Sequence, residues 1–272
     1  MESIAILYAS QTGNSESSAE QLHSALSASH PYLRLSISRL DDWVLSTTPS
    51  SAFPDYLLVI SSSYGVGQPP LGGEIYRAVL DHLAAPPPGT PAPPVFEGVP
   101  FSLLGHGSRS YPTFFRNPRA LAVGMKALGA RLVATSSCEP ASASSLLSPG
   151  CPGVGVADAS GETADDEEAV RLWIEEVKAK LPAVEAMYAS ESPSAAAERR
   201  SKSARNRSLL LRAAEALMPE EVAAKREDLV SAGVLQGGGG GGADVGTCRF
   251  IVVPLVLGAV AVALGVRMRG VM

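Results

Sequence analysis

Three short stretches of the chain concentrate hydroxyls, glycines and aromatic rings at spacings that could do chemistry. The first, Ser10-Gln11-Thr12-Gly13-Asn14-Ser15, carries three hydroxyls around one glycine and no lysine. If it opens a helix, free N–H groups and hydroxyls converge on an anion such as a phosphate. It lacks the GxxxxGK[ST] pattern, so nucleoside triphosphate binding is not indicated, and an ordinary capped turn has the same composition. The second, Ser61-Ser62-Ser63-Tyr64-Gly65-Val66-Gly67-Gln68-Pro69-Pro70, sets a tyrosine beside glycines that tolerate positive φ and close backbone approach. The third, Leu104-Gly105-His106-Gly107-Ser108-Arg109-Ser110-Tyr111-Pro112-Thr113-Phe114, holds a second tyrosine and a histidine. Taken alone, either of the last two is no more than a turn.

The elements around these loops give them meaning. Ile4 to Tyr8 is a short apolar run that ends abruptly at the first loop, and Ala19, Leu22, His23 and Leu26 then recur at helical spacing until His30-Pro31. Leu33 to Ile37 predicts a second strand, and Tyr56 to Ile60 is a continuous apolar run suited to a strand buried on both faces. After the second loop come a helix over Glu74 to Leu83, a proline-rich surface loop over Pro86 to Pro94 and a strand over Val99 to Leu104. A helix over Phe114 to Leu128, a last strand over Arg131 to Ala134 and an amphipathic helix over Asp165 to Leu181 complete the alternation. Strands alternating with helices imply a doubly wound parallel sheet, and all three loops then fall at the carboxyl ends of strands, where such sheets bind ligands.

With the loops so placed, the resemblance is specific. Ser-Gln-Thr-Gly-Asn-Ser after strand one is similar to the phosphate loop of flavodoxins and of the FMN domains of diflavin reductases of the cytochrome P450 reductase type. The second loop resembles that family's Thr-Tyr-Gly-x-Gly-x-Pro segment, and the third its Leu-Gly-(Asn or Asp)-x-x-Tyr-x-x-Phe segment. The resemblance spans about Ser3 to Leu181. It implies a flavodoxin-like five-stranded sheet with FMN as cofactor. It further implies that Ser10, Gln11, Thr12, Gly13, Asn14 and Ser15 wrap the phosphate, that Ser63, Tyr64, Gly65 and Gly67 flank the flavin ring, and that Gly105, His106 and Tyr111 supply the other side. Two departures stand out. Val66 and Gln68 occupy positions where diflavin reductases usually carry acids, and His106 replaces the usual amide or carboxylate in a loop two residues longer. A titratable histidine beside a flavin would make reduction depend on pH.

Composition bounds the partners. Up to Pro182 there are 11 Lys+Arg against 18 Asp+Glu, and from Ala183 onward 11 against 9, so an acidic head joins a mildly basic tail. That argues against nucleic acid as a partner. Cys138, Cys151 and Cys248 form no CxxC pair and are too few for a disulfide framework or a zinc site. Asp165, Asp166, Glu167 and Glu168 are a candidate docking patch, though a solvated helix start reads the same way. Nothing beyond Leu181 resembles a nicotinamide-binding domain, so an NADPH-dependent flavin reductase in trans is the expected donor and a haem or iron-sulfur protein the expected acceptor. A quinone-type reductase using NAD(P)H directly, or a scaffold that has lost FMN, are the rival readings.

The expected organisation is a flavodoxin-like domain over 1–182, an Ala/Ser/charged linker, helical or disordered, over 183–248, a transmembrane helix over 249–267 and a short basic tail over 268–272. Gly237 to Gly242 is a flexible tether by composition. Phe250 to Val266, FIVVPLVLGAVAVALGV, has no charged residue and lies at the short end of the ~17 to 25 residues that cross a bilayer. With no signal-like N-terminus, the expectation is a single-pass, tail-anchored protein with a cytosolic head, in the outer mitochondrial membrane or the endoplasmic reticulum. Arg199, Arg200, Lys202, Arg205 and Arg207 are expected to reach anionic lipid.

Overall fold

The structure is a computed structural model, described here for residues 1–48, 50–108, 110–133, 154–158 and 163–235. β1 (Ser3–Ala9) leads into α1 (Asn14–Ser29), then β2 (Arg34–Arg39), α2 (Leu40–Leu45), β3 (Tyr56–Ser62), α3 (Glu74–Ala84), β4 (Pro100–Gly107) and α4 (Arg116–Ala127). β5 (Arg131–Leu132), β6 (Val154–Asp158), α5 (Thr163–Ala189), α6 (Pro193–Leu217) and α7 (Pro219–Ser231) follow. The sheet is parallel in the order β2-β1-β3-β4-β5, with β6 also paired to β4. The order reverses between β1 and β3, which creates the crevice at the carboxyl ends of those strands.

Period-2 alternation sorts the core into two layers. Ile4 and Ile6 of β1 and Leu58 and Ile60 of β3 pack with Leu22 and Leu26 of α1 and with Trp173 and Val177 of α5. Ala5 and Leu7 of β1 and Leu57 and Val59 of β3 face the other way, onto Trp43, Tyr76, Val79 and Leu121 of α2, α3 and α4. β3, buried along nearly its whole length, is the central strand that its continuous apolar run predicts.

The fifth strand is split, a departure from the expected single run over Arg131 to Ala134. Arg131 and Leu132 pair with Pro100 and Phe101, whereas Val154 to Asp158 pair with Leu103 to Gly107 on the same edge of β4. One strand position is thus filled from two places in the chain, and Val-Gly-Val-Ala-Asp is too short and glycine-bearing to read as a strand before the edge of β4 is in place. The short helix α2 was likewise not foreseen.

The C-terminal helices depart further. α5 runs through Pro182 to Ala189 rather than stopping at Leu181. Proline removes a helix N–H, but Leu181 and Val184 on either side of it are fully buried, and the Tyr188 hydroxyl donates to the Asp55 carbonyl at 2.8 Å, so tertiary contact holds the helix across the break. α6 starts at Pro193, capped by the Ser192 hydroxyl accepting the Ala195 N–H, well before the expected Ser208. Leu210 and Ala214 of α6 and Val222 and Leu229 of α7 are buried in the same layer as Trp43 and Phe53, and residues 1–236 form one compact unit. Much of the expected linker therefore packs against α2 and α3.

The basic run is spent on this packing. Arg199 pairs with Asp55 at 3.1 Å and Glu191 at 3.0 Å, and Lys202 with Glu97 at 2.6 Å. The Arg207 guanidinium lies 4.3 Å from the Trp43 ring centre and donates to the Ala52 and Trp43 carbonyls, and its burial lowers its pKa to about 10. Arg200 and Arg205 are the members of the run that are exposed and make no ion pair among the described residues. No described helix is long and apolar enough to cross a membrane, and Phe250 to Val266 lies outside the described residues.

Candidate functional site

Strand ends in register bring the three loops to one place. Tyr8 is level with Ile60, Ser61 with Gly105 and Ser62 with His106. The first loop leaves β1 and turns into α1 through Gly13, whose φ of 97° is left-handed and whose N–H donates to the Ser10 hydroxyl at 3.0 Å. A Cβ at Gly13 would meet nothing within 4 Å, so the turn borders open space. Thr12 and Asn14 are exposed, whereas Ser15 is 1% exposed and its Oγ has no hydrogen-bond partner.

The second loop is anchored on both sides. Leu71 accepts the Ser10 N–H at 3.2 Å and donates to Gln11 Oε1 at 3.3 Å, tying it to the first loop. The Gly65 carbonyl accepts from the Thr113 hydroxyl and the Val66 carbonyl from Arg116, both at 3.1 Å, tying it to the third. Between these anchors Tyr64 and Gln68 form a tight two-way bridge, with Gly65 and Gly67 at φ of 52° and 94°. Gly67 has a second reason to lack a side chain, because a Cβ there would fall 2.3 Å from Arg116 Cδ. Ser63 accepts the Asn117 backbone N–H, and the buried Asn117 amide donates to Ser61 Oγ and the Ser62 carbonyl while accepting from Arg77. Asn117, Thr113 and Arg116 are thus bracing residues that sequence reasoning missed, since an Asn-Pro after two phenylalanines reads only as a turn.

The third loop holds the largest differences from expectation. β4 extends to Gly107, so Gly105 and His106 lie in the strand rather than in a loop. Gly105 faces the α4 layer, where a Cβ would fall 2.0 Å from the Phe115 ring, and Phe115 itself caps α4 at a left-handed φ of 61°. His106 faces the opposite layer, 6% exposed, with Nε2 3.0 Å from the Ser18 hydroxyl of α1 and Nδ1 without a partner. Burial lowers its pKa to about 4, so the ring is neutral at ordinary pH. Strand alternation, with β4 running three residues past the expected Leu104, accounts for this turn inward. Tyr111, by contrast, is 67% exposed and Tyr64 51% exposed, two tyrosines standing open at the rim of the crevice.

The flavodoxin family model matches residues 6–173. The chain belongs to the flavodoxin family. Among curated proteins, the sulfite reductase [NADPH] flavoprotein alpha-components of Neisseria meningitidis serogroups C and A are each 30% identical over 129 residues, 47% of this chain. Those residues amount to 19% of the relatives' own length. Among solved structures, flavodoxin 2 from Bacillus cereus aligns with a TM-score of 0.46 at 18% identity, covering 66% of this chain and 99% of that one. Fusobacterium nucleatum flavodoxin bound to flavin mononucleotide gives 0.46 at 16% identity over the same shares.

FMN is the cofactor of the flavodoxin family, and the residues present fit it. A buried serine hydroxyl without a partner at the head of α1, beside a left-handed glycine bordering open space, is a donor set awaiting an anion. Among the described residues no cluster of His, Cys, Asp or Glu could hold a metal ion.

Proposed function

We propose that this chain is an FMN-binding electron-transfer protein held at a membrane, which takes electrons from a separate NADPH-dependent flavin reductase and passes them to a haem or iron-sulfur protein. The observation that carries the cofactor reading is the unpartnered, buried Ser15 hydroxyl in a loop whose other members match the family's phosphate loop. Ser10, Thr12 and Ser15, with the N–H groups at the start of α1, would hold the phosphate, while Tyr64 and Tyr111 would cover the ring. FMN, when bound, supplies the one- and two-electron chemistry. The chain's own part is to bind and orient: Ser10 and Gln11 fix the first loop to Leu71, and Thr113 and Arg116 hold the Gly65 and Val66 carbonyls.

The anchor reading rests on the uncharged run Phe250 to Val266 bounded by Arg249, Arg267 and Arg269, which is consistent with the outer mitochondrial membrane or the endoplasmic reticulum.

The test is to mix the 1–236 unit, which contains the whole described body, with FMN. Quenching of flavin fluorescence, a visible flavin spectrum and one FMN released per chain are expected; a protein that stays colourless and leaves FMN fluorescent would defeat the reading. For the anchor, the full chain expressed in eukaryotic cells should remain in the membrane pellet after alkaline carbonate washing, and a chain ending at 248 should not. Release of both by the wash would remove the membrane from the proposal.

A further inference from the structure

The rim of the crevice differs in charge from the chain that carries it. The full sequence bears a net charge of −5, yet residues 63–73 and 107–115, which make up the second and third loops, contain no Asp or Glu. Of the carboxylates on neighbouring elements, those of Glu74 and Asp81 are engaged, while Asp158 ends β6 level with Gly107. Glu74 accepts the Gly72 and Gly73 N–H groups, at 2.8 and 3.2 Å, and lies 3.7 Å from Lys225, while Asp81 is held by Arg77 at 2.9 Å. What stands out at the rim is apolar and basic. Val66 is 68% exposed, Leu71 53% and Tyr111 67%, and Arg116 and Arg119 project from the first turn of α4 at i, i+3. Neither arginine has a carboxylate partner among the described residues. Both sit at the positive end of a helix that has no acidic residue in its first turn, a placement that costs stability.

Exposed apolar side chains flanked by guanidinium groups that no carboxylate neutralises match a partner surface that is apolar at its centre and acidic at its edge. We propose that the rim formed by Val66, Leu71 and Tyr111, with Arg116 and Arg119 beside it, is the docking face for an acidic patch on a protein redox partner. The proposal deepens the electron-carrier reading and rests on it. Association at this face is attractive for negative charge although the molecule as a whole is negative, because at physiological salt charges more than about 8 Å away are largely screened and the nearby arginines dominate. The acidic start of α5, including the exposed Glu167 and Glu168, offers the opposite sign and would select a basic partner instead.

Two small one-electron acceptors separate these signs without knowledge of the partner. FMN-loaded protein, its loading checked by absorbance, is reduced anaerobically and mixed with ferricyanide, a trianion, or with tris(phenanthroline)cobalt(III), a trication. Two equivalents of either take the two electrons stored in the reduced flavin. The rate with ferricyanide is expected to fall about twofold or more as salt is raised from ~100 mM, where the screening length is about 10 Å, to ~1 M, where it is about 3 Å, and the rate with the cobalt complex to rise. Arg119→Glu, which lies outside both loops and keeps the backbone N–H that donates to the Phe115 carbonyl, should flatten or reverse both slopes at unchanged FMN loading. A ferricyanide rate that rises with salt in the wild type would overturn the proposal while leaving FMN binding intact; failure to load FMN would instead defeat the electron-carrier reading.

A second readout needs no cofactor. In the unloaded protein, hexaglutamate should shift the backbone amide resonances of Val66, Tyr111 and Arg119 more than hexalysine does. Shifts confined to hexalysine and centred on Glu167 and Glu168 would place docking on the acidic face and sink the proposal.

Discussion

Ser15 and His106 are both buried polar residues on the α1 side of the sheet, and their environments give them opposite consequences. An unpartnered buried hydroxyl destabilises the unloaded protein and becomes useful when an anion arrives. Ser15→Ala is therefore expected to weaken FMN binding by about 1–2 kcal/mol, roughly five- to thirtyfold, while the urea midpoint of the unloaded protein stays the same or rises. A variant that loses stability without FMN would show that the hydroxyl has a structural partner. His106 makes stability depend on pH. Its folded pKa of about 4 lies below the ordinary 6.5, so above about 6.5 the ring is neutral in both folded and unfolded chains. Between about 6.5 and 4 the unfolded chain takes up a proton that the folded chain refuses, and stability falls with falling pH. His106→Gln should abolish about 2 kcal/mol of the loss between pH 7 and pH 5, read as the difference in urea midpoints. Equal losses in wild type and variant would mean that the histidine is not the titrating group.

At the level of elements, α7 is latched to the loop that braces the crevice. Lys225 Nζ lies 2.6 Å from Asp41 Oδ2, and Asp41 is fully buried, accepting the Tyr76 N–H at 2.9 Å while its own N–H donates to the Gly72 carbonyl. Gly72 follows Leu71, the residue hydrogen-bonded to both Ser10 and Gln11. Removing the ammonium strands a buried carboxylate next to this turn. Lys225→Met is expected to cost about 2 kcal/mol in denaturant stability, less than a fully buried pair because the lysine is partly exposed, and Asp41→Asn in the same chain should recover part of the loss. If the double variant loses the sum of the two single losses, the pair does not act as a latch.

For the whole molecule, the helices after Leu181 belong to the core. Leu210, Val222 and Leu229 are buried beside Trp43 and Phe53, each contributing roughly 1.5–3 kcal/mol by burial, and Arg207 closes over the Trp43 ring. A chain cut at Pro182 should aggregate or melt well below one cut at Gln236, compared by thermal unfolding in the same buffer. Equal melting temperatures would reduce α6 and α7 to an ornament on a self-sufficient domain. The cut at Pro182 also severs α5 between Leu181 and Val184, which are both fully buried.

By itself the sequence determined the order of strands and helices through Leu132 apart from the short α2, the parallel sheet, the three loops at strand ends and the family, because continuous apolar runs, helical periodicity and glycine-bearing loops are local signals. It also determined which residues of the first loop gather at the head of α1. Tertiary structure decided what depends on partners distant in the chain. It split the last strand between Arg131–Leu132 and Val154–Asp158, since only the edge of β4 unites them. It turned His106 inward beneath α1, because strand alternation, not loop membership, sets the direction of that side chain. It carried α5 through Pro182 and folded the basic run onto Asp55, Glu97 and Trp43, since buried neighbours on both sides outweigh one missing helix hydrogen bond and a guanidinium finds its carboxylate or ring only when the helices have packed.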